Sequence, residues 1–323
     1  MILNLGMSPA WQQILHMNCF REGEVNRARE SIWCASGKVL NVARALKCLS
    51  VEAMTISTAG GISGQQIHEE FTRDSIPARW IPISAPSRVC TTILDETNAI
   101  TTELVEETAP ILDSELNEVR QAFSDFVSSA DLLVISGSFP KGTPETFCRD
   151  LLKTLSVPAV LDIRGPQLLN ALQAEPWLVK PNREELAMTL QRNSIPDAEL
   201  QDAMRELNNR GAEWVVITQG SGAVWLSSKE DHYRIQPPEK SHVVNPIGCG
   251  DCLTAGIAAG KMNGMPPVEA VQLGIAAAVC NLQTARPARF TLEDVQSVFQ
   301  SVFQSAEGEP LAFPNQVEIN GRN

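Results

Sequence analysis

The chain has 323 residues, of which 43% are hydrophobic and 20% are charged, and its formal net charge at neutral pH is −12. A chain of this length and apolar content can bury most of its unfolded surface in one large α/β domain or two smaller ones, which excludes a disordered protein. The negative charge argues against nucleic acid and anionic membranes as partners, so any phosphate site must be built from a few local Lys and Arg residues.

The sequence contains no run of about 18 uninterrupted apolar residues, the length that a transmembrane helix needs. Its first 17 residues lack the basic segment and the small-residue cleavage pattern of a signal peptide. Among the eight cysteines, Cys48, Cys148 and Cys280 lie in apolar surroundings, as buried free thiols of cytosolic proteins do. We therefore expect a cytoplasmic protein. A redox or metal role for the one CxxC, Cys249 to Cys252, is an alternative, but no second CxxC or nearby His pair completes a zinc site.

Short apolar runs alternate with amphipathic stretches along most of the chain. The runs typical of strands are 2–5, 53–57, 132–136, 159–162, 178–180, 214–218 and 223–226. The stretches with helical periodicity include 39–49, 114–127, 143–155 and 198–209, and in the last third 251–262, 267–284 and 291–303. This alternation predicts an α/β fold with a doubly wound, mostly parallel sheet and helices on both faces.

Two regions, about 11–34 and 79–107, break the alternation with short β-runs at 79–83, 89–94 and 100–105. They predict a small β-sheet that stands off one edge of the domain as a lid. A lid can exclude water from a reacting group and complete a site. We expect residues 1–310 to form the domain and residues 311–323 to form a C-terminal tail.

The segment Asn245-Pro246-Ile247-Gly248-Cys249-Gly250-Asp251 follows a β-like stretch at 233–244 and opens a helix rich in Ala and Gly. Gly248 and Gly250 allow consecutive backbone amides to converge on one point, where the helix dipole adds positive potential, and this predicts an anion hole. Asp251, in the first turn, is placed to accept a proton from an alcohol beside that anion. The alternative is an ordinary helix N-terminus with an acidic first turn.

Three further segments place polar or small residues where strands end and helices begin. In 36–43, Lys38 and an asparagine can hold a phosphate and a hydroxyl, or the segment is an ordinary loop with a solvated lysine. In 180–185, Asn182 and a glutamate can reach a metal ion at the carboxyl edge of the sheet, or they cap a helix. Residues 218–223 form a hairpin turn or approach a nucleotide closely.

Together these segments resemble the signatures of the ribokinase-like (PfkB) carbohydrate kinase family, and the resemblance covers nearly the whole chain. The Gly-x-Gly-Asp signature is matched by residues 248–251. The signature Gly-Gly-Lys-Gly-x-Asn-x-Ala is matched with two departures by 36–43, KPNxxE by 180–185, and Ser-Gly-Ser-Leu-Pro, with Phe139 for Leu, by 136–140.

Residues 23–27 and 102–104 are more similar to the 1-phosphofructokinase and tagatose-6-phosphate kinase branch than to ribokinase. The resemblance implies transfer of a phosphoryl group from ATP, with Mg²⁺, to a hydroxyl of a phosphorylated ketohexose such as fructose 1-phosphate or tagatose 6-phosphate. The catalytic residues that it implies are Asp251 as general base and Gly248, Cys249 and Gly250 as the anion hole. The sugar phosphate would be bound by Gln12, Lys38, Asn41, Arg88, Arg27 and Ser138, the nucleotide by Lys180, Asn182, Thr218, Gly220, Gly222 and Asn281, and Mg²⁺ by Asn182 and Glu185.

Besides Phe139, four positions depart from the family pattern. Gln12 stands where this branch has an aspartate that binds sugar hydroxyls, and Pro246 stands where Thr or Ser is usual. Ser36 and Val39 replace two glycines of the N-terminal signature, and a valine side chain there is expected to crowd the sugar or redirect the loop. The alternatives are therefore a kinase of the same fold with a different sugar or nucleoside-like acceptor, and a non-catalytic sugar-phosphate or nucleotide sensor. In this family an exposed lid sheet can also serve as a dimer interface, so the resemblance implies a homodimer formed through the lid.

Overall fold

The computed structural model describes residues 1–238 and 243–303. Its strands within these residues are β1 (Ile2–Gly6), β2 (Ala10–Met17), β3 (Glu30–Ser36), β4 (Ala53–Ala59), β5 (Ala78–Pro82), β6 (Arg88–Asp95), β7 (Ile100–Val105), β8 (Leu132–Ser136), β9 (Ala159–Asp162), β10 (Leu178–Val179), β11 (Trp214–Ile217), β12 (Val224–Ser227) and β13 (His232–Ile235). Its helices are α1 (Lys38–Cys48), α2 (Gly61–Arg73), α3 (Asp113–Val127), α4 (Phe147–Leu152), α5 (Gly165–Ala171), α6 (Arg183–Thr189), α7 (Asp197–Asn209), α8 (Cys249–Met262), α9 (Pro267–Asn281) and α10 (Leu292–Phe303).

Nine of these strands form one large sheet in the order β13-β12-β11-β10-β9-β8-β1-β4-β5. Neighbours from β11 to β5 pair in parallel, and β12 and β13 complete one edge in antiparallel pairing. Strand β1 lies between β4 and β8, so the chain builds one side of the sheet first and then returns to build the other. A reversal of this kind opens a crevice at the carboxyl ends of the strands beside it.

Helices cover both faces of the large sheet, and each face has its own apolar core. Successive residues of a strand point to opposite faces. Leu133 and Ile135 of β8 therefore join the core that includes α3 to α7, whereas Leu132 and Val134 join the core that includes α1, α8, α9 and α10. Because both faces are covered, all five residues of β8 are buried. The predicted doubly wound, mostly parallel sheet is confirmed.

A second sheet of four strands, in the order β3-β2-β6-β7, is the lid. The prediction of a lid sheet is therefore confirmed, but one of its predicted strands belongs elsewhere. The run at 79–83 is β5, which pairs in parallel with β4 at the edge of the large sheet and places Ile81 in the core. The prediction of a strand at 79–83 is therefore correct, but its assignment to the lid is wrong. The segment was placed in the lid because it lies next to the lid strands in the sequence.

The end of one predicted strand changes. The β-like stretch at 233–244 is a strand only to Ile235; residues 239–242 lie outside the described residues, and residues 243–248 are irregular and end in a turn at Ile247 and Gly248. The predicted C-terminal tail, 311–323, also lies outside them. No helix within the described residues is long and apolar enough to cross a membrane.

Candidate active site

The carboxyl edge of the large sheet and one face of the lid flank a cavity of about 310 Å³. Its floor lies where α1 and α8 begin, and the ends of β9, β10 and β11 form the wall opposite the lid. The lid contributes Gln12, Arg88, Cys90, Glu103 and Val105, the helix starts contribute Lys38, Asn41, Gly248, Gly250 and Asp251, and the opposite wall contributes Asp162, Lys180, Asn182, Glu185 and Thr218. The cavity thus brings together residues from segments that are far apart in the sequence.

Asp251 lies in the first turn of α8, directly after the turn that Gly248 makes. Gly248 has a φ of +86°, and a Cβ there would lie 2.9 Å from the Cβ of Pro287, so this turn requires glycine. The Asp251 carboxylate is buried and accepts a hydrogen bond of 2.7 Å from Asn41 Nδ2. Gly248, Gly250 and Asp251 all line the cavity, whereas the Cys249 amide, expected in the anion hole, donates to the Pro246 carbonyl at 3.3 Å.

The surroundings of Asp251 change its proton affinity. Burial and, after it, the negative charge of Asp162 raise the pKa of Asp251 to about 7, although Lys38 and Asn41 act in the opposite direction. A general base works best when its pKa is close to the working pH. Asp251 is therefore suited to take a proton from a bound alcohol near neutral pH.

Asp162, at the end of β9, is a charged residue of the cavity that sequence reasoning missed. It is fully buried and contacts Lys38 Nζ at 2.8 Å, Lys180 Nζ at 3.1 Å and Thr254 Oγ1 at 2.9 Å. Burial alone would raise the pKa of Asp162, but the two lysines hold it below its usual value. The available signal was an apolar strand that ends in an aspartate at the carboxyl edge of the sheet.

Lys38, at the start of α1, forms ion pairs of 2.8 Å with both Asp162 and Glu185. Burial opposes the charge of Lys38, but the two carboxylates raise its pKa above its usual range. An ammonium group has three N–H donors. Two of these donors are used by the carboxylates of Asp162 and Glu185. Lys38 therefore keeps only one donor for its expected role of binding the sugar phosphate.

Asn182 and Glu185 form a reciprocal cap at the start of α6. Asn182 Oδ1 accepts from the Glu185 amide at 2.8 Å, and Glu185 Oε2 accepts from the Asn182 amide at 2.9 Å. No group of three or more His, Cys, Asp and Glu side chains within the described residues is arranged to hold a metal ion. Mg²⁺ commonly binds through one or two carboxylates, its own waters and substrate phosphates. Glu185 and Asp162, which both line the cavity, fit that looser arrangement.

Comparison with known proteins identifies a family and several solved structures with the same fold. The model of the pfkB family carbohydrate kinases matches residues 14–293. The chain belongs to the PfkB family of carbohydrate kinases. Three solved structures share its fold over 93% of this chain and 98% of theirs: phosphofructokinase-2 from Escherichia coli in complex with potassium (22% identity, TM-score 0.84), a possible 1-phosphofructokinase from Thermotoga maritima (20%, 0.83) and Arabidopsis thaliana ribokinase complexed with ribose and ATP (18%, 0.71).

Several residues expected to bind ligand lie outside the lining of the cavity in this PfkB kinase. Arg27 is exposed in the connection between β2 and β3, which follows Met17, whereas the cavity lies at the Ala10 end of β2, about 23 Å along the strand. Gly220 and Gly222 are exposed in the turn after β11, beyond Thr218. Arg27 is therefore remote from the cavity, whereas Gly220 and Gly222 follow its lining residue Thr218 by two and four residues.

Three other predicted residues contact the protein itself. Asn281 is fully buried; its Nδ2 donates to Ile247 O at 2.9 Å, and its Oδ1 accepts from the Ala288 amide at 2.7 Å. Cys249 lies beside it, with its Sγ 3.2 Å from Asn281 Nδ2, and burial raises the pKa of the Cys249 thiol to about 11. The Ser138 carbonyl accepts from a serine hydroxyl of the β1–β2 connection at 2.7 Å. Asn281 thus positions the loop before α8 rather than contacting nucleotide.

The four departures from the family pattern have different consequences. Val39 does not crowd the sugar: its side chain is buried in a core, against the position where Gly6 lacks a Cβ. Ser36 lines the cavity and donates to Asn41 Oδ1 at 3.3 Å, and Pro246 also lines it. Gln12 is buried at the lid wall of the cavity.

Proposed function

We propose that the protein transfers the γ-phosphoryl group of ATP to a hydroxyl of a phosphorylated ketohexose of the fructose 1-phosphate or tagatose 6-phosphate type. The observation that carries this proposal is the position of Asp251, a buried carboxylate with a pKa raised to about 7 beside the first amides of α8. Asp251 takes the hydroxyl proton while the acceptor oxygen bonds to phosphorus and the bond from phosphorus to the ADP oxygen breaks. The α8 amides stabilise the negative charge on the transferring group.

The nucleotide would lie along the wall formed by Lys180, Asn182 and Thr218, which brings its phosphates toward the α8 amides. Lys180 is buried and ion-paired with Asp162 at 3.1 Å, so its charge is fixed in place before ATP binds. Mg²⁺, when bound with ATP, would neutralise charge on the phosphates. Glu185 and Asn182 would hold it through its water shell, with Asp162 close by.

The acceptor would lie between the lid and α1, with Arg88 and Lys38 near its phosphate and Asn41 near its hydroxyls. Arg88 donates to the carbonyls of Ser8 and Glu106 at 3.3 Å each and forms no ion pair within the described residues. Its positive charge is therefore free to attract a phosphate. Gln12 favours a second candidate, a kinase of the same fold that phosphorylates a different sugar or nucleoside-like acceptor.

The test is ATP consumption, with Mg²⁺, across fructose 1-phosphate, fructose 6-phosphate, tagatose 6-phosphate and unphosphorylated sugars and nucleosides. The proposal expects turnover with a phosphorylated ketohexose and a loss of roughly 10²- to 10⁴-fold in kcat for Asp251→Asn, with acceptor and ATP binding retained. Turnover only with an unphosphorylated compound supports the second candidate. Turnover by Asp251→Asn at the wild-type rate contradicts the catalytic assignment, and ATP binding without turnover of any acceptor supports a sensor.

We also propose that two copies of the chain associate through the lid, on the face opposite the cavity. Register places Trp33, Gln13, Thr91 and Leu104 in one row across the four strands. The two ends of this row are apolar and exposed, Trp33 at 40% and Leu104 at 58%. An exposed apolar face of this kind is typical of a protein interface.

We place the protein in the cytoplasm. All eight cysteines are free thiols, and Cys148 and Cys252 are completely buried in the apolar cores. Reduced, buried cysteines are usual in the reducing cytosol.

A further inference from the structure

The lid carries a polar cluster, two of whose members, Gln12 and Glu103, line the cavity, and Glu103 has no role in the proposal above. Gln12 comes from β2, Thr92 from β6 and Glu103 from β7, and register places Thr92 directly opposite Glu103. Gln12 Nε2 donates to Thr92 Oγ1 and to Glu103 Oε1, the latter at 3.4 Å, and Thr92 Oγ1 donates to the same Glu103 oxygen at 3.4 Å. The buried amide of Gln12 therefore lies next to the Glu103 carboxylate at the cavity wall.

Glu103 differs from the other carboxylates that line the cavity. Asp162 and Glu185 are ion-paired with lysines, and Asp251 accepts a short hydrogen bond from Asn41. Glu103 forms no ion pair within the described ranges 1–238 and 243–303, and the two hydrogen bonds that it accepts are long. An ionised carboxylate accepts hydrogen bonds and cannot donate them. Its free capacity therefore favours a ligand group that donates, such as a hydroxyl, and disfavours a phosphate.

The lid also carries a positive charge at the other end of the same wall. Arg88 pairs in register with Ala10, while Glu103 pairs with Thr92, four residues further along β6. Four residues of strand correspond to about 13 Å. An acceptor that reaches along this wall would meet a cation at one end and a carboxylate at the other, and this fixes its direction.

We propose that Glu103 is a specificity-determining residue, which accepts hydrogen bonds from acceptor hydroxyls at the lid and keeps the acceptor phosphate at the Arg88 end. Gln12 is the residue that positions it. The proposal rests on the proposed kinase activity. It narrows the acceptor of that kinase to a phosphorylated compound with several hydroxyl groups at the end remote from the phosphate.

The test compares Glu103→Gln with the wild-type chain in steady-state kinetics on fructose 1-phosphate, fructose 6-phosphate, tagatose 6-phosphate and their deoxy analogues. Glu103→Gln keeps the shape but loses the charge, so we expect the KM of the acceptor to rise roughly 10- to 100-fold while the KM of ATP stays unchanged. A deoxy analogue that lacks the hydroxyl bound by Glu103 should raise the acceptor KM of the wild-type enzyme by a similar factor. The same analogue should raise the acceptor KM of Glu103→Gln little further. Glu107→Gln, an exposed glutamate of the following connection that does not line the cavity, is the matched control and should keep wild-type kinetics.

An unchanged acceptor KM in Glu103→Gln overturns the proposal. An equal further rise in KM for every deoxy analogue also overturns it, because that result would indicate a general disturbance of the lid.

A second pair of variants tests the positioning role of Gln12. Gln12→Glu alone places two carboxylates side by side and should weaken acceptor binding, and combining it with Glu103→Gln should restore part of that binding. A double variant no better than Gln12→Glu contradicts a shared site. If the wild-type chain turns over none of these acceptors, the proposed function fails; if it turns one over and Glu103→Gln is indifferent, only this inference fails.

Discussion

At the scale of single residues, Asp251 is held between opposing influences. Burial and the nearby charge of Asp162 favour its protonated form, whereas Lys38 and the hydrogen bond from Asn41 favour its ionised form. The balance raises its pKa to about 7 and makes the protonation state of this carboxyl group sensitive to its neighbours. Asn41 therefore acts on the ionisation of Asp251, in addition to its expected role in binding sugar hydroxyls.

The pH dependence of kcat/KM follows from this balance. Asp251 must be ionised to accept a proton, so kcat/KM should rise with pH and level off above about 7. In Asn41→Ala the carboxylate loses a hydrogen bond that favours its ionised form, so its pKa rises and the acid limb moves to higher pH. Ser36→Ala is the control, because Ser36 contacts Asn41 and not Asp251. An acid limb that stays in place in Asn41→Ala would show that this bond does not tune the base.

The residues of this site were predictable to different degrees. Gly248 and Asp251 share one short motif whose local pattern already indicates a helix start with an anion hole. Asp162 was missed because its partner Lys38 is 124 residues away, and only the packed sheet brings the two side chains together. Asn281 is a similar case: its side chain bonds to Ile247 in the loop before α8 and to Ala288 after α9, and only the packed structure brings these two segments together.

At the scale of elements, the orientation of α8 depends on its close packing against α9. A Cβ at Gly274 of α9 would lie 2.5 Å from the Leu253 carbonyl oxygen of α8, and a Cβ at Gly256 would collide with the Gly274 backbone. The two helices can therefore approach this closely only because both residues are glycine. Leu253 is two residues from Asp251, so this contact also fixes the turn that carries Asp251.

We expect Gly274→Ala to lower the free energy of unfolding by about 1–3 kcal/mol, because the added methyl group must push the two helices apart. Urea denaturation followed by circular dichroism measures this. Gln272→Ala, a partly exposed position in the same helix, should change stability by less than about 0.5 kcal/mol. If Gly274→Ala and the wild-type chain have the same free energy of unfolding, α9 can move away from α8 without loss of stability.

Element types were more predictable than element positions. The apolar runs at 132–136 and 159–162 became β8 and β9 because a doubly covered sheet needs continuously buried strands. The run at 79–83 was recognised as a strand but assigned to the lid, since periodicity gives the conformation of a segment and not its partner. Its parallel pairing with β4 depends on α2, which crosses between them and was not among the predicted helices.

At the scale of the whole molecule, a buried ionic network joins the lid to the loop that follows α9. Arg44 of α1 donates to Ala35 O at 2.9 Å and to Glu70 Oε1 at 3.0 Å, and Glu70 also accepts from the Ala35 amide at 2.9 Å. Arg289 reaches the same carboxylate at 3.0 Å. Because the buried Glu70 carboxylate pairs with the buried Arg44 and the partly exposed Arg289, the base of lid strand β3, helices α1 and α2 and the loop after α9 are held in one arrangement.

The network fixes only the base of the lid, and its outer face remains open to a second copy. Ile100 and Leu104 project from the same face of β7 and are 56% and 58% exposed, so lysine at both positions removes apolar contact area without disturbing a core. By analytical ultracentrifugation at micromolar concentration, we expect the wild-type chain to be a dimer and the double variant Ile100→Lys and Leu104→Lys to be a monomer with unchanged thermal stability of each chain. Met188→Lys, an equally exposed apolar position on α6, should leave the dimer intact. A wild-type monomer, or a double variant that dimerises as well as wild type, would place the association elsewhere or exclude it. The cavity-facing residues of the lid, Gln12 and Glu103, are on the opposite face, so loss of the dimer tests the interface separately from acceptor recognition.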